Sequence, residues 1–184
     1  MANAAKHKDG LVRTAMRLFR QQGYASSGLQ QILAESDAPR GSLYHYFPGG
    51  KEELGEAAVK LAAKLMGEML ADLANRHKTP ESFVKAYCRT MAKWMEESDF
   101  RSGCPIATTM LETAPHAPGL TRAGAAALDH WIDIIAPVLT TKGVTAKKAR
   151  AKAQLLIATM EGALLIARIR QSAAPIHDIA ASFR

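Results

Sequence analysis

The stretch Ser27–Lys51, SGLQQILAESDAPRGSLYHYFPGGK, governs how the rest of the chain is read. It holds two short segments of helical apolar pattern, broken by a turn. In the first, Leu29, Ile32 and Leu33 fall on one face. Ser27 and Gln30 have capping-box spacing, which predicts that this helix opens at Ser27. Asp37, Ala38 and Pro39 interrupt the pattern, and Pro39 suits the first turn of a new helix, where its missing N–H costs nothing. That helix is expected over about Arg40 to Tyr46, with Leu43 as its inward anchor. Arg40, Gly41, Ser42, Tyr44 and His45 then form a thin polar leading face, and Pro48, Gly49 and Gly50 close the segment.

Upstream, Leu11, Ala15, Leu18 and Phe19 recur at i, i+4, i+7 and i+8, which predicts a helix over Lys6 to Gln22. Gly23 ends it, because glycine tolerates the left-handed backbone of a helix terminus. Tyr24 comes next as a core plug. Downstream, a long helix is expected from Lys51 to about Asn75, with Glu52 and Glu53 at the positive end of its dipole. Its stripe reads Leu54, Ala58, Leu61, Leu65 and Met69. Thr79 and Pro80 open another helix, with Phe83, Tyr87, Met91 and Trp94 inward. Ser102 to Pro105 breaks the pattern, a short helix covers Ile106 to Thr113, and two longer helices, about Leu120 to Thr141 and Thr145 to Ser172, finish the chain. Gly143 joins them tightly, so they should run antiparallel. Pro137 lies inside the first and either kinks it or marks an earlier end.

The fold class is therefore all-α. Abundant Ala with sparse Val, Ile and Thr favours helix over sheet. At 184 residues the chain fits one domain or two small ones. Lys and Arg outnumber Asp and Glu by 24 to 17, a net charge of +7 that suits a polyanionic partner. Two cysteines are too few for a disulfide framework. The opening MANAAKHKDG lacks the apolar core of a signal peptide, and Leu155 to Ile169 is cut by Glu161 and too short to span a bilayer. No membrane partner and a cytoplasmic location are the expectation.

A helix that enters a DNA major groove needs a slim polar front and a buried back. Arg40 to Tyr46 has both. Gly41 permits close backbone approach, and Ser42 bonds a phosphate or a base edge. Arg40 offers the planar fork that reads guanine or clamps phosphate. Tyr44 and His45 pack on sugar, methyl or phosphate groups. Lys51 meets the DNA backbone together with free amides at the start of its helix. The alternative is a merely solvated helix end.

The longer pattern LFRQQGY, LQQILAES, APRGSLYHYFPGGKEEL closely resembles the amino-terminal domain of TetR-family transcriptional regulators over roughly Lys6 to Leu54. That resemblance implies a three-helix, helix-turn-helix DNA-binding domain over residues 1–50. A helical effector-binding and dimerisation domain would occupy 51–184. It further implies DNA contacts from Ser27, Gln30, Arg40, Ser42, Tyr44, His45 and Lys51. Pro39 departs from the family, where many members carry a capping Ser or Thr. APRGSLYHYFPGGKEEL, with GCPIATTMLE further along, is similar to the LmrA/YxaF-like subgroup.

The last long helix carries Leu155, Leu156, Met160, Ala163, Leu164 and Ala167, with Gly162 permitting close approach; Ile157, Leu165 and Ile166 add apolar surface on other sides. A helix apolar over so much of its circumference must be widely covered, either within the chain or by a homodimer built from the last two long helices. Two subunits would present two heads to a double-stranded, roughly palindromic operator. Met66, Met69, Phe83, Tyr87, Met91, Trp94, Cys104, Met110 and Met160 are the candidates to line an effector pocket, with ordinary core as the alternative for each. The resemblance implies a small hydrophobic or aromatic effector, flavonoid-like or drug-like in the subgroup, and release of a repressor.

Other signals carry less. Gly49, Gly50 and Lys51 fail as a phosphate loop, since His45 stands where the first Gly belongs and Glu52 replaces Ser or Thr. The histidines show no i, i+4 pairing, so neither a metal nor a cofactor is expected. Cys104, beside Pro105, reads as an inert thiol rather than a redox sensor. Lys142, Lys147, Lys148, Arg150 and Lys152 read as a solvated helix start. An enzyme would need an acid/base pair, nucleophile group or metal cluster that the sequence does not offer. A protein-interaction module with a basic face is the other rival.

Overall fold

The computed structural model describes residues 2–39 and 41–182, with side chains from residue 5 onward; Arg40 lies outside the described residues. Every regular element among the described residues is a helix: α1 Ala2–Gln22, α2 Leu29–Glu35, α3 Ser42–Tyr46, α4 Gly50–Arg76, α5 Pro80–Glu97, α6 Pro105–Thr113, α7 Pro118–Val138, α8 Ala146–Arg170 and α9 Ala174–Ser182. They pack as two compact units, Met1–Lys64 with Pro105–Ala127, and Leu65–Cys104 with Leu128–Arg184. The boundary expected at residue 50 sets the first three helices apart from the remainder of the chain. Packing instead groups those helices with the start of α4 and with Pro105–Ala127.

In the first unit α1 buries the expected face, Leu11, Ala15, Leu18 and Phe19. Gly23 ends α1 with φ 89°, and its N–H returns to the Phe19 carbonyl at 3.1 Å. α2 and α3 have only 7 and 5 residues, too short to hold helical form alone. Their order comes from Ile32, Leu33, Leu43 and Phe47, which are buried with the α1 face and with Leu54 and Ala58 of α4. Each such side chain contributes roughly 1.5–3 kcal/mol on leaving water. α6 packs along α1, and its Thr108 Oγ1 donates to the Phe19 carbonyl at 3.0 Å.

α4 begins at Gly50, where φ is 66°, and Glu53 accepts the Gly49 N–H at 2.8 Å. Its expected stripe holds only at the start. Leu54 and Ala58 are buried, but Leu65 is exposed and Leu61 and Met69 are half-buried, while Val59, Ala62, Leu70 and Leu73 take the inward places. The helix serves first one unit's core and then the other's, and each core selects its own face.

In the second unit α5 opens with a capping box made by Thr79 and Ser82. It buries Phe83, Tyr87, Met91 and Met95; Trp94, expected inward, is 37% exposed. Met95 takes the place assigned to Trp94, one residue further round the helix. α8 and α9 both pack on α5. α9 lies beyond the helices expected from the sequence; Ile176 and Ile179 anchor it one helical turn apart. α7 ends at Val138, short of Thr141, one residue after Pro137, which has no N–H to continue the helix. α8 buries Ala149, Ala153, Leu156, Ile157, Met160, Ala163 and Ala167 within its own chain.

Candidate nucleic-acid interface

α3 stands on Leu43, which is fully buried, and turns its other residues outward. Tyr44 is 65% exposed, and His45 is exposed with its ring 5.0 Å from that of half-buried Tyr46. Gly41 is exposed, and a Cβ there would meet nothing within 4 Å, so the fold itself does not require glycine at this position. Ser42 Oγ donates to the Pro39 carbonyl at 2.7 Å, which orients the hydroxyl and leaves its lone pairs open. α3 opens at Gly41 with no side-chain cap. On α2, Gln30 is exposed.

Ser27 is a correction. Its side chain is fully buried, its Oγ donates to the Gly23 carbonyl at 2.6 Å and its N–H to the Tyr24 carbonyl at 3.1 Å. The tight turn after Gly23 folds Ser27 back on the end of α1, so it completes that helix instead of opening the next. α2 starts at Leu29 after Gly28, with no side-chain cap, and Ser27 offers no group to a duplex.

Lys51, in the first turn of α4, is half-buried. Its Nζ donates to the Ala25 carbonyl at 3.2 Å and lies 4.6 Å from the centre of the Tyr24 ring. Partial burial pulls its pKa below the usual lysine value, against an upward pull from the Glu112 carboxylate. Tyr24 is half-buried, stacked at a tilt 5.1 Å from Phe19, and burial with the charge of Glu52 raises its phenol pKa. Gln30, Gly41, Ser42, Tyr44, His45 and Lys51 thus belong to one unit, with Arg40 outside the described residues.

The residues expected to line a pocket are distributed over both units. Phe83, Tyr87, Met91, Cys104 and Met160 are buried in the second unit, where Met66 and Met69 are half-buried on α4. Met110 belongs to the first unit, where it packs beside Gly124, and Trp94 is substantially exposed. A residue that sequence reasoning misses is Glu161. It is half-buried on α8, the Cys104 thiol donates to its carboxylate, and partial burial raises its pKa in spite of that bond. Burial, aided by the Glu161 charge, also drives the Tyr87 phenol well up, and burial pushes the Cys88 thiol up to about 11. In the sequence Glu161 stands out only as an interruption of an apolar run. Its place on the inward side next to Met160 is the available signal. A cleft of about 440 Å³ lies elsewhere, lined by Asp133, Ala136, Pro137, Thr140, Ala146, Ala149 and Arg150, and shares no residue with the expected set. Among the described residues no three His, Cys, Asp or Glu side chains cluster to hold a metal, and no helix is long and apolar enough to cross a membrane.

Comparison with known proteins identifies the family. Residues 11–58 match the bacterial regulatory proteins of the tetR family, and residues 80–182 match the LmrA/YxaF-like transcriptional regulator C-terminal domain. An uncharacterised HTH-type transcriptional regulator of Mycobacterium tuberculosis, Rv0196, is 34% identical over 92% of this chain and 88% of its own length. The HTH-type transcriptional regulator LmrA of Bacillus subtilis is 28% identical over 94% of this chain and 92% of its own. Among solved structures, a TetR transcriptional regulator from Chloroflexus aurantiacus superposes with a TM-score of 0.83 at 28% identity, covering 100% of this chain and 94% of that one. These relatives are transcriptional regulators and not enzymes. The chain belongs to the TetR family of DNA-binding transcriptional regulators and carries an LmrA/YxaF-like C-terminal domain.

Proposed function

We propose that this regulator is a dimeric repressor that holds a roughly palindromic operator through α3 and leaves it when a small hydrophobic or aromatic effector binds the second unit. The observation that carries the reading is α3 itself, a helix with one fully buried anchor and an exposed face of Gly41, Tyr44 and His45. Tyr44 and His45 pack against the sugar and methyl edges of the groove. Ser42, Gln30 and Lys51 supply polar and phosphate contacts. Arg40 joins them on the chemistry of its fork alone. The place of action is the cytoplasm, where the DNA is.

The dimer is supported by α8. Opposite its buried face, Ala151, Leu155, Ala158, Gly162, Leu165 and Ile169 are all exposed, at steps of four and three residues. That spacing suits a helix that packs on another helix. A Cβ on Gly162 would meet nothing within 4 Å, so the chain alone gives no reason for a glycine, whereas a close partner helix does. The effector site is supported by the second unit's interior, where Met91, Met160, Phe83, Tyr87 and Cys104 are buried and half-buried Glu161 accepts from the Cys104 thiol. An effector acts only if it binds the DNA-incompetent state more tightly.

The test is selection of duplexes from a random library by the full chain. The free and duplex-bound protein are then sedimented, and the complex is challenged with a panel of aromatic and aliphatic compounds. Selection of an inverted repeat by a dimer is expected. A chain that selects no sequence, or that sediments as a monomer at micromolar concentration, removes this reading.

A further inference from the structure

GCPIATTMLE, Gly103 to Glu112, contains a carboxylate that the DNA-reading face does not include. Glu112, near the end of α6, accepts the Tyr24 N–H at Oε1 (3.2 Å) and the Ala25 N–H at Oε2 (2.5 Å). Both amides lie in the turn between α1 and α2, where no helix supplies acceptors for them. The same two residues hold Lys51. The Ala25 carbonyl accepts its ammonium, and the Tyr24 ring lies beneath it. Ala25 is therefore gripped on both sides, by an acid through its N–H and by a base through its carbonyl.

The surroundings are cut to fit this grip. A Cβ on Gly23 would collide with Glu112 Oε1, and the φ of 89° there already favours glycine. A Cβ on Gly55 would come within 3.0 Å of Tyr24 Cε2 and 3.1 Å of Leu120 Cδ2, so its absence gives the tyrosine ring its seat. Thr108, one helical turn before Glu112, bonds the last turn of α1 at the Phe19 carbonyl. α6 thus touches the end of α1 and the entry to α2 with polar groups of its own.

We propose that Glu112 is a positioning residue for DNA recognition, which holds the α1–α2 turn and through it sets where Lys51 and α2 stand relative to α3. This inference rests on the DNA-binding reading above and deepens it. Glu112 itself touches no DNA. It is an acid beside a phosphate-binding lysine, so its direct electrostatic effect on a polyanion is unfavourable. Any help it gives must come through geometry. The two effects have opposite signs, and that makes the proposal separable from a purely structural role.

The probes are the duplex selected by the wild-type chain and a scrambled duplex of equal length, each fluorescently labelled and titrated with Glu112→Gln and Glu112→Ala. The amide of Gln cannot accept a backbone N–H with its nitrogen end, so even this isosteric change breaks one of the two bonds. Affinity for the selected duplex should fall about tenfold, the scale of a charge-assisted hydrogen bond. Affinity for the scrambled duplex should stay or rise. Glu112→Asp, which keeps the charge on a shorter arm, should recover part of the loss. A variant that is simply less folded lowers both affinities by the same factor and leaves their ratio unchanged, and an unchanged ratio overturns the proposal. If both variants fail to fold, amide exchange in the wild type decides. Slow exchange at Tyr24 and Ala25 supports the grip, and exchange at the rate of a free peptide overturns it. A wild-type chain that selects no duplex removes the DNA reading first, and this role falls with it; a wild-type chain that selects while Glu112→Gln keeps its ratio removes only Glu112.

Discussion

α3 and α8 solve opposite problems. α3 has five residues and one fully buried side chain, Leu43, and leaves Tyr44 and His45 exposed to another molecule. α8 has 25 residues with Leu156, Met160, Ala163 and Ala167 turned inward, yet Leu155, Leu165 and Ile169 remain 64%, 61% and 72% exposed on the opposite side. A polar free face seeks a polar partner, and an apolar free face seeks a second apolar one. The comparison teaches that exposure alone does not define an interface. Its chemistry states what kind of surface must meet it.

The comparison breaks most severely at Leu43. Leu43→Ala removes the fully buried anchor within α3 and leaves a cavity, so it should cost about 2–5 kcal/mol in urea unfolding and abolish preference for the selected duplex. Retention of both would mean that α3 is held by something other than burial. Leu165→Glu places a charge on the apolar seam of α8 without touching its own chain's core. The dimer should weaken by about 2–4 kcal/mol, the range of a disrupted interface centre, while the far-ultraviolet helix signal persists. Sedimentation that stays dimeric would move the interface off this face.

Smaller effects sharpen the contrast. Tyr44→Ala should weaken binding to the selected duplex by about 1–3 kcal/mol with stability changed by less than about 0.5 kcal/mol, because the ring is exposed. A large loss of stability would make Tyr44 part of the core. Glu161→Gln is the smallest and is visible only as a function of pH. Burial raises the folded-state pKa of Glu161 above its unfolded value, so the folded chain binds the proton more tightly than the unfolded one. Wild-type stability is therefore lost progressively as pH rises from the ordinary carboxylate range through the folded pKa. The Gln variant should match the wild type in acid and exceed it by a few degrees of thermal midpoint at about pH 8. No difference across that range would show that Glu161 is solvated.

Much of the first unit is legible in the sequence for local reasons. Gly23 and Gly50 adopt positive φ where the pattern stops, and Leu11, Ala15, Leu18 and Phe19 share one face at helical spacing. Ser27 misleads because capping-box spacing also occurs by chance, and only the path of the turn shows that its hydroxyl reaches back to Gly23. Leu65 and Met69 fall inward only if the α4 stripe is extended past the point where the neighbouring core changes, and Trp94 loses its inward place to Met95, one residue further round α5. α9 escapes because nine residues with two buried isoleucines make too little periodicity to stand out. Met110 looks like a companion of the other methionines because residue type carries no address.

The glycine stops at Gly23 and Gly50 and the all-helical character depend on neighbours within a few residues, and the amino-acid order alone determined them, together with the polar front of α3. The grip of Glu112 on Tyr24 and Ala25 joins residues 88 and 87 positions apart, and the seating of Glu161 against Cys104 likewise joins distant segments. Only the tertiary structure decided these, because a carboxylate accepts from whichever donor the fold brings within reach, and nothing in the local sequence names that donor.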